Sequence, residues 1–297
     1  MMRSVNVVCV VAVLLMASVG GAATIRYKGS GSWDDIDPSD GAGWEGGVMP
    51  GSADTVRFNW GDNTVTLDYA APTISKFQMG VDESGGLVVN SGGVLTALGN
   101  SKVGNNGAVT GRLTINAGGV VNANGGWVMV GGNVDTTGIL NIDGGVMNIA
   151  GHLWVASNTG SIGTVDITGG TLSIGGMIGI GTIDAVNPSG GTGTVNVNDG
   201  GLLALANIHG AGTSIHPGSM LNLYGTGQVT LPGDFEGVIA NYAAAGLISG
   251  DGIPGNIKTD LTTNPGFTTI TVIPEPATMI LLGLGGLALV RVRGKKH

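Results

Sequence analysis

The sequence predicts an all-β protein built as a parallel β-solenoid, and three observations lead to that prediction. Glycine supplies 58 of the 297 residues, far above the ordinary ~7%. Gly-Gly pairs recur in register through the middle of the chain, and each pair lies between two short segments in which apolar and polar residues alternate. Such alternation indicates strands with one buried face, and a repeat of this length is typical of a solenoid.

Each repeat contains up to three short strands joined by glycine and asparagine turns. Helical repeats are excluded because a glycine inside a helix costs ~1 kcal/mol, and every unit holds two together. We therefore expect five or six three-strand rungs in residues 85–232, stacked about 4.8 Å apart. The Gly-Gly pairs fall at positions 92/93, 118/119, 144/145, 169/170 and 200/201, a nearly constant interval that lengthens only before the last pair.

A polar residue follows the first strand of every unit. Stacked rungs would place these side chains above one another, as a ladder at one corner of the coil. The aliphatic residues between them, Ile142 among them, would fill the narrow core. The equivalent polar positions are Asn90, Asn116, Asp143, Thr168 and Asn198.

The segments that flank the repeats are expected to cap the coil, because exposed strand edges promote edge-to-edge association. Residues 24–84 form the expected N-terminal β cap. Residues 233–272 form the expected C-terminal cap, in which Asp234 begins a helix over about 235–245 and Gly246 ends it. A last strand over 268–273 would leave the cap. The small core of the N-terminal cap would contain Trp33, Trp44 and Trp60.

The N-terminus has the pattern of a secretory signal peptide, predicted over residues 1–23. A basic start is followed by an aliphatic stretch over 7–19 and then by small residues suited to cleavage near Ala22 or Ala23. The only cysteine, Cys9, lies inside this segment, so the mature chain would carry no thiol.

The C-terminus, residues 273–297, combines an extended motif, an apolar run and a basic end. The prolines at 274 and 276 prevent a helix from starting earlier. The apolar run 277–290 predicts a transmembrane helix of about 21 Å, short of the ~30 Å hydrocarbon core, with the basic residues held on the cytoplasmic side. The predicted sorting residues are Pro274, Glu275, Pro276, Arg291, Arg293, Lys295 and Lys296.

This tail resembles the PEP-CTERM sorting signal. The resemblance implies export, an intermediate anchored in the inner membrane, and processing near Pro-Glu-Pro by an exosortase, which delivers the protein to the cell surface or the medium. The repeats, together with the segment that runs from Trp33 through GWEGGVMPGSADTVRF, also resemble autotransporter-like β-repeat passenger regions.

The net charge of the mature chain limits the classes of molecule that it is expected to bind. Removing residues 1–23 and 277–297 removes five of the 12 basic residues and none of the 20 acidic ones, so the net charge falls from −8 to −13. No lysine or arginine occurs between Arg112 and Lys258. We therefore expect no nucleic-acid partner, because a phosphate backbone would be repelled. Divalent cations and neutral glycans remain open.

Two groups of residues suggest ligand binding. A carboxylate cluster provides calcium candidates at Asp35, Asp37 and Asp40, although its glycine is one position late for the D-x-D-x-D-G loop, and a solvated surface turn is the alternative. Trp127 and Trp154 fall at nearly equivalent places in successive repeats. They predict either a glycan-binding platform or a purely structural aromatic stack. No other cofactor is expected.

Catalysis is not expected. The carboxylates Asp143, Asp166 and Asp199 do not clearly share a face, and no basic residue accompanies them. The sequence therefore predicts a non-catalytic structural or adhesive surface protein that associates with extracellular polysaccharide, with signal peptidase and an exosortase as its processing enzymes. A carbohydrate-binding module and a β-helix polysaccharide lyase or hydrolase are the alternatives.

Overall fold

The computed structural model describes residues 21–36, 41–182, 190–209 and 214–274. Within them the chain winds into a parallel β-solenoid of about seven turns with one short helix. Three faces surround a continuous hydrophobic core. The predicted fold class is therefore confirmed, while the predicted signal peptide, apart from residues 21–23, and the predicted transmembrane helix lie outside the described residues.

The first face is a ten-stranded sheet. Its strands pair in parallel except for the last two, which are antiparallel. In order across the sheet they are β2 (Gly31–Ser32), β5 (Asn63–Leu67), β7 (Gly85–Val89), β10 (Thr110–Asn116), β13 (Thr137–Asp143), β16 (Ile162–Thr168), β18 (Thr192–Val197), β20 (Met220–Leu223), β22 (Ile248–Gly250) and β23 (Ile253–Pro254).

The second and third faces join through one long strand, β17 (Thr171–Ile180), whose two halves belong to different faces. Besides β17, the second face contains β8 (Val94–Ala97), β11 (Val120–Ala123), β14 (Val146–Ile149), β19 (Leu202–Asn207), β21 (Gln228–Pro232), β25 (Phe267–Val272) and β24 (Ile257–Asp260). The third face contains β3 (Gly43–Trp44), β1 (Thr24–Lys28), β4 (Thr55–Phe58), β6 (Lys76–Met79), β9 (Ser101–Val103), β12 (Trp127–Val130) and β15 (His152–Val155).

Residues 24–84 form the first turns of the coil, which corrects the expected separate N-terminal cap and the count of five or six rungs. Strands β1, β4 and β6 continue in parallel into β9, and β2 and β5 continue into β7. These turns lack the regular Gly-Gly signature, and large aromatic side chains fill their core. For this reason the glycine spacing did not reveal them. Buried aromatic residues there include Tyr27, Trp33, Trp44, Phe58 and Phe77.

Trp33 and Trp44 pack edge to face, with ring centroids 4.9 Å apart, and the Trp44 indole Nε1 donates a hydrogen bond to the Trp33 carbonyl at 2.6 Å. Both are fully buried, as predicted. Trp60, which was expected in the same cluster, is instead 43% exposed. Its ring lies 5.4 Å from the ammonium nitrogen of Lys28.

Further along the coil, the inward residues of the first face stack into a column. Ile142 is 1% exposed and aligns with Ile115 on one side and Ile167 on the other, so its predicted place in the core is confirmed. Gly138 lies between two rungs, where an added Cβ would overlap the backbone of Val103 and Gly131. Glycine is therefore required there for close approach of the chains.

Antiparallel strands lie at the N-terminal end of the third face and at the C-terminal end of the first and second faces. At the N-terminal end β3 pairs antiparallel with β1, and at the C-terminal end β25 pairs antiparallel with β21. The one helix of the described residues, α1 (Glu236–Ala244), buries Ile239 and Tyr242. Strands β3 and β25 cover the edges of β1 and β21, where another chain could otherwise add directly.

The helix of the C-terminal segment lies where it was predicted, but Asp234 does not occupy its N-cap position. The Asp234 carboxylate accepts a hydrogen bond from the Glu236 amide at 3.0 Å, although Phe235 occupies the N-cap position of the helix. Gly246, with φ +72°, ends the helical segment. The residues that the structure describes contain no helix long and apolar enough to cross a membrane.

Candidate functional site

The outward residues of the first face form a ladder of polar side chains. Strand register aligns Asn141, Asp166, Asn196 and Asn222 on consecutive rungs. The Asn222 amide donates to the Asn196 oxygen at 2.8 Å, and the Asn196 amide donates to the Asp166 carboxylate at 2.6 Å. The Ser249 hydroxyl extends this ladder by donating to Asn222 at 2.7 Å. The hydrogen bonds hold these polar groups in one row across the rungs.

The predicted corner ladder is also present. Asn116 donates its side-chain amide to the Asn90 oxygen at 2.8 Å, and Asn198 donates to the Thr168 hydroxyl at 3.2 Å. Asp143 aligns with Asn116 in the parallel pairing. Asn90, Asn116 and Asp143 therefore stack in one stretch of this ladder, and Thr168 and Asn198 stack in another.

The two ladders meet at an open groove of about 300 Å³. It brings Asp143 and Asp166 to the same site, although sequence reasoning did not place them on one face. Spacing could have revealed this, because Asn141 and Asp166 are separated by the same interval as the Gly-Gly pairs at 144/145 and 169/170. The groove is lined by Thr114, Asn141, Ile142, Asp143, Asp166 and Thr168.

The side chains that line this groove can bind a ligand through hydrogen bonds. Its lining offers two carboxylates, one amide and two hydroxyl groups, and it includes no lysine or arginine. Asp199, the third carboxylate considered, lies elsewhere and accepts a hydrogen bond from the Thr226 amide at 2.9 Å. This set of groups suits the hydroxyls of a neutral sugar, because carboxylate and amide oxygens accept hydrogen bonds from them.

The two tryptophans of the predicted platform do not share one column. Register pairs Trp127 with His152 and Met129 with Trp154, so the tryptophans lie two positions out of alignment. Trp154 is only 8% exposed, and its ring stacks on His152 with centroids 5.4 Å apart. Trp127 is half-buried, which leaves it the more accessible of the two.

Two further contacts distinguish these rings. A Cβ at Gly179 would overlap the Trp154 ring, which shows that this ring covers the next rung. The ammonium nitrogen of Lys102 lies 5.7 Å from the centroid of the Trp127 ring. Trp154 therefore has the surroundings of a packing residue, whereas Trp127 lies beside a positive charge.

Of the three calcium candidates, Asp35 lies in the described part of the chain, and Asp37 and Asp40 lie outside it. The Asp35 carbonyl accepts a hydrogen bond from the Trp44 amide at 3.3 Å. Among residues 21–36, 41–182, 190–209 and 214–274, no group of three His, Cys, Asp or Glu side chains is arranged to hold a metal ion. Calcium binding at this cluster stays a prediction.

The predicted sorting tail begins where the solenoid ends. Strand β25 stops at Val272, and the amide of Ile273 donates to the Asn256 carbonyl at 3.2 Å. Pro274 is the last described residue. The other predicted sorting residues lie outside the described part of the chain: Glu275, Pro276, Arg291, Arg293, Lys295 and Lys296.

Comparison with known proteins bears on the C-terminal tail. No curated protein and no solved structure is significantly similar to the chain, and the autotransporter-like resemblance is not confirmed. Residues 272–296 match the PEP-CTERM protein-sorting motif, in agreement with the predicted tail. The motif implies an exported protein that is sorted to the cell surface and processed by an exosortase.

Proposed function

We propose that this protein is a non-catalytic structural or adhesive component of the cell surface, associated with extracellular polysaccharide. The observation that supports this most strongly is the direct continuity of a capped solenoid with the sorting motif. Strand β25 ends at Val272, and the motif begins at residue 272. Sorting and processing of the tail would therefore present the whole coil outside the cell.

The outer surface of the coil suits a hydrated, hydroxyl-rich partner. The ladder through Asp166 and Asn196 lines up a carboxylate and an amide about one rung, or ~4.8 Å, apart. The groove beside Asp143 adds hydroxyl groups to this row. Because hydrogen bonds hold the side chains in place, a sugar chain would meet a surface that is already ordered.

Processing would proceed in two steps under this proposal. Signal peptidase would remove residues 1–23, and the apolar run 277–290 would hold the protein in the inner membrane with its basic end on the cytoplasmic side. The exosortase would then cut near Pro274-Glu275-Pro276. The product would be an acidic coil with neither terminal segment.

The test is the intact mass of the protein recovered from the surface and medium of its host. We expect a mass that lacks both termini, and replacement of Pro274, Glu275 and Pro276 by alanine should leave an uncut, membrane-bound form. Replacing Pro265, an exposed proline outside the motif, is the matched control and should leave processing unchanged. A parent protein with an intact C-terminus, or one that does not associate with its host's matrix, would contradict the proposal.

A carbohydrate-binding module centred on Trp127 is the second candidate. It is favoured by the half-buried indole, whose outer position beside Lys102 leaves part of the ring available to the apolar face of a sugar. The double variant, in which alanine replaces both Trp127 and Trp154, does not by itself separate the structural role from the carbohydrate-binding module. The two single variants are needed beside it. Loss of glycan binding in Trp127→Ala at an unchanged melting temperature would favour the module.

A further inference from the structure

The third face of the coil gathers positive charge. Register places Arg26 beside Arg57, Arg57 beside Gln78, and Gln78 beside Lys102 on four neighbouring strands. Each of the four is followed in its strand by a fully buried residue, so its own side chain points away from the core. They form one outward column that crosses β1, β4, β6 and β9.

Lys76 adds a fourth cation to this face. It lies two positions before Gln78 on β6, with the buried Phe77 between them, so it shares the outward side of the strand. Three strand spacings of ~4.8 Å put the four cations within about 14 Å across the sheet. We call Arg26, Arg57, Lys76 and Lys102 the cationic row.

Carboxylates neutralise little of this charge. Arg26 contacts Asp82 at 3.3 Å, but both side chains are substantially exposed. Arg57 and Lys102 instead donate to neutral oxygens, of Gln78 at 3.1 Å and of Asn133 at 3.0 Å. Within the described ranges, neither of these two residues nor Lys76 forms a salt bridge.

The pKa of Lys102 is affected by its burial and by a neighbouring positive charge. Burial lowers the pKa of its ammonium group, and the neighbouring positive charge of Lys76 lowers that pKa further. Two like charges are thus held close together in a partly desolvated position. An anion bound between them would relieve this repulsion, since opposite charge favours the protonated form of a lysine.

We propose that the cationic row is a binding site for an anionic polysaccharide that carries carboxylate or sulfate groups and lies across the strands of the third face. This inference rests on the proposed association with extracellular polysaccharide and names the class of glycan involved. The half-buried Trp127 lies on β12, next to the row, and provides an apolar surface for a sugar ring.

Charge density favours a polysaccharide over nucleic acid. The row presents about one cation per strand spacing of ~4.8 Å, which suits a chain with separated charges. Duplex DNA carries one charge per ~1.7 Å of its axis, which is denser than the cations of the row. The proposed ligand is therefore a polysaccharide, and the test includes duplex DNA so that binding of nucleic acid would be detected.

The experiment measures binding of the processed protein, recovered from its host, to a polyuronate, to neutral dextran and to duplex DNA. The double variant Lys76→Gln/Lys102→Gln is compared with Arg112→Gln/Lys258→Gln, which removes the same number of charges elsewhere. We expect about a tenfold or greater loss of polyuronate affinity only in the first variant, and parent binding that weakens as salt rises. The fold of each variant is checked by its melting temperature.

Equal polyuronate affinity in the two double variants, or tighter binding of DNA than of polyuronate by the parent, would overturn the inference. Should Lys102 prove necessary for folding, Lys76→Gln and Lys258→Gln repeat the comparison as single changes. Retention of each variant in the host's own matrix is scored separately. If the parent is retained in the matrix but does not bind polyuronate, the anionic ligand alone is rejected. If the parent is not retained in the matrix, the proposed function is rejected.

Discussion

The side-chain amide of Asn196 donates a hydrogen bond of 2.6 Å to the carboxylate of Asp166, one rung away and 30 residues earlier in the chain. The same asparagine accepts a hydrogen bond from Asn222 on its other side. A single residue thus connects three rungs of the first face through its side chain as well as its backbone. This dual role makes Asn196 the best position at which to measure the strength of the ladder.

Replacing Asn196 by alanine should lower the free energy of unfolding by about 1–2 kcal/mol, because the change leaves Asp166 without its amide donor and Asn222 without its acceptor. Denaturant unfolding measures this difference. Asn148→Ala is the matched control: it removes a similar hydrogen bond of 3.0 Å to Asn122 at an exposed position and should cost less. Equal costs would show that neither the second hydrogen bond of Asn196 nor its partial burial strengthens the ladder.

The two tryptophans should respond differently to truncation. Trp154→Ala should destabilise the protein by about 3 kcal/mol, since the ring is buried against His152 and Gly179. Trp127→Ala should cost no more than about 1 kcal/mol, mainly through the lost contact with the Lys102 ammonium group. Thermal unfolding of both variants checks the difference, and the reverse order would mean that Trp127 is the structural residue.

A pair of glycine substitutions tests the close packing of the rungs. Gly138→Ala should prevent normal stacking, because the new Cβ would overlap the backbone of Val103 and Gly131. Gly237→Ala, in helix α1 and with no atom near its added Cβ, should instead stabilise the protein by about 0.5–1 kcal/mol. Circular dichroism melts of both variants provide the measurement. A Gly138→Ala protein that melts like the parent would contradict the proposed close approach.

The contribution of Asp260 to the stability of the turn after β24 should depend on pH. The Thr263 hydroxyl, the Thr262 hydroxyl and their backbone amides all donate to the Asp260 carboxylate, which holds its pKa well below the usual range. The folded chain therefore binds this proton less tightly than the unfolded chain, whose aspartate has a pKa of ~3.9. The contribution of Asp260 to stability is thus present above that pH and is lost as the pH falls through the folded pKa.

Nuclear magnetic resonance titration of the Thr262 and Thr263 amide signals measures this directly. We expect the signals to stay constant down to about pH 4 and to move only below it. Asp260→Asn should abolish that movement, and a midpoint at or above ~3.9 in the parent would show that the turn does not stabilise the carboxylate.

Much of the fold could be predicted from local patterns. Alternation of apolar and polar residues identified the strands, the Gly-Gly interval identified the rung, and both placed Ile142 in the core and Asn116 in the corner ladder. The first turns, which contain Tyr27 and Phe58 in place of the regular glycine pairs, escaped this reasoning. Aromatic side chains fill the same core volume with a different sequence pattern, so no common spacing connects those turns to the repeats.

Side-chain neighbours across rungs were harder to predict, because they depend on the length of each turn. The strand register aligns Trp127 with His152 of the next rung. Trp154 lies two positions further along that strand and therefore belongs to a neighbouring column. A rung of the same length unites Asn141 with Asp166 in the groove. A difference of two positions in one turn therefore decides which side chains meet.

The repeat, the strand faces and the sorting tail could be predicted because each depends on residues that are close together in the chain. The shared column of Arg26, Arg57 and Lys102 could not be predicted, since these residues lie on separate turns at unequal intervals and no local pattern relates them. Parallel stacking brings such distant residues to one face. The physical reason is that backbone hydrogen bonds between rungs, and not sequence proximity, set the register of a solenoid.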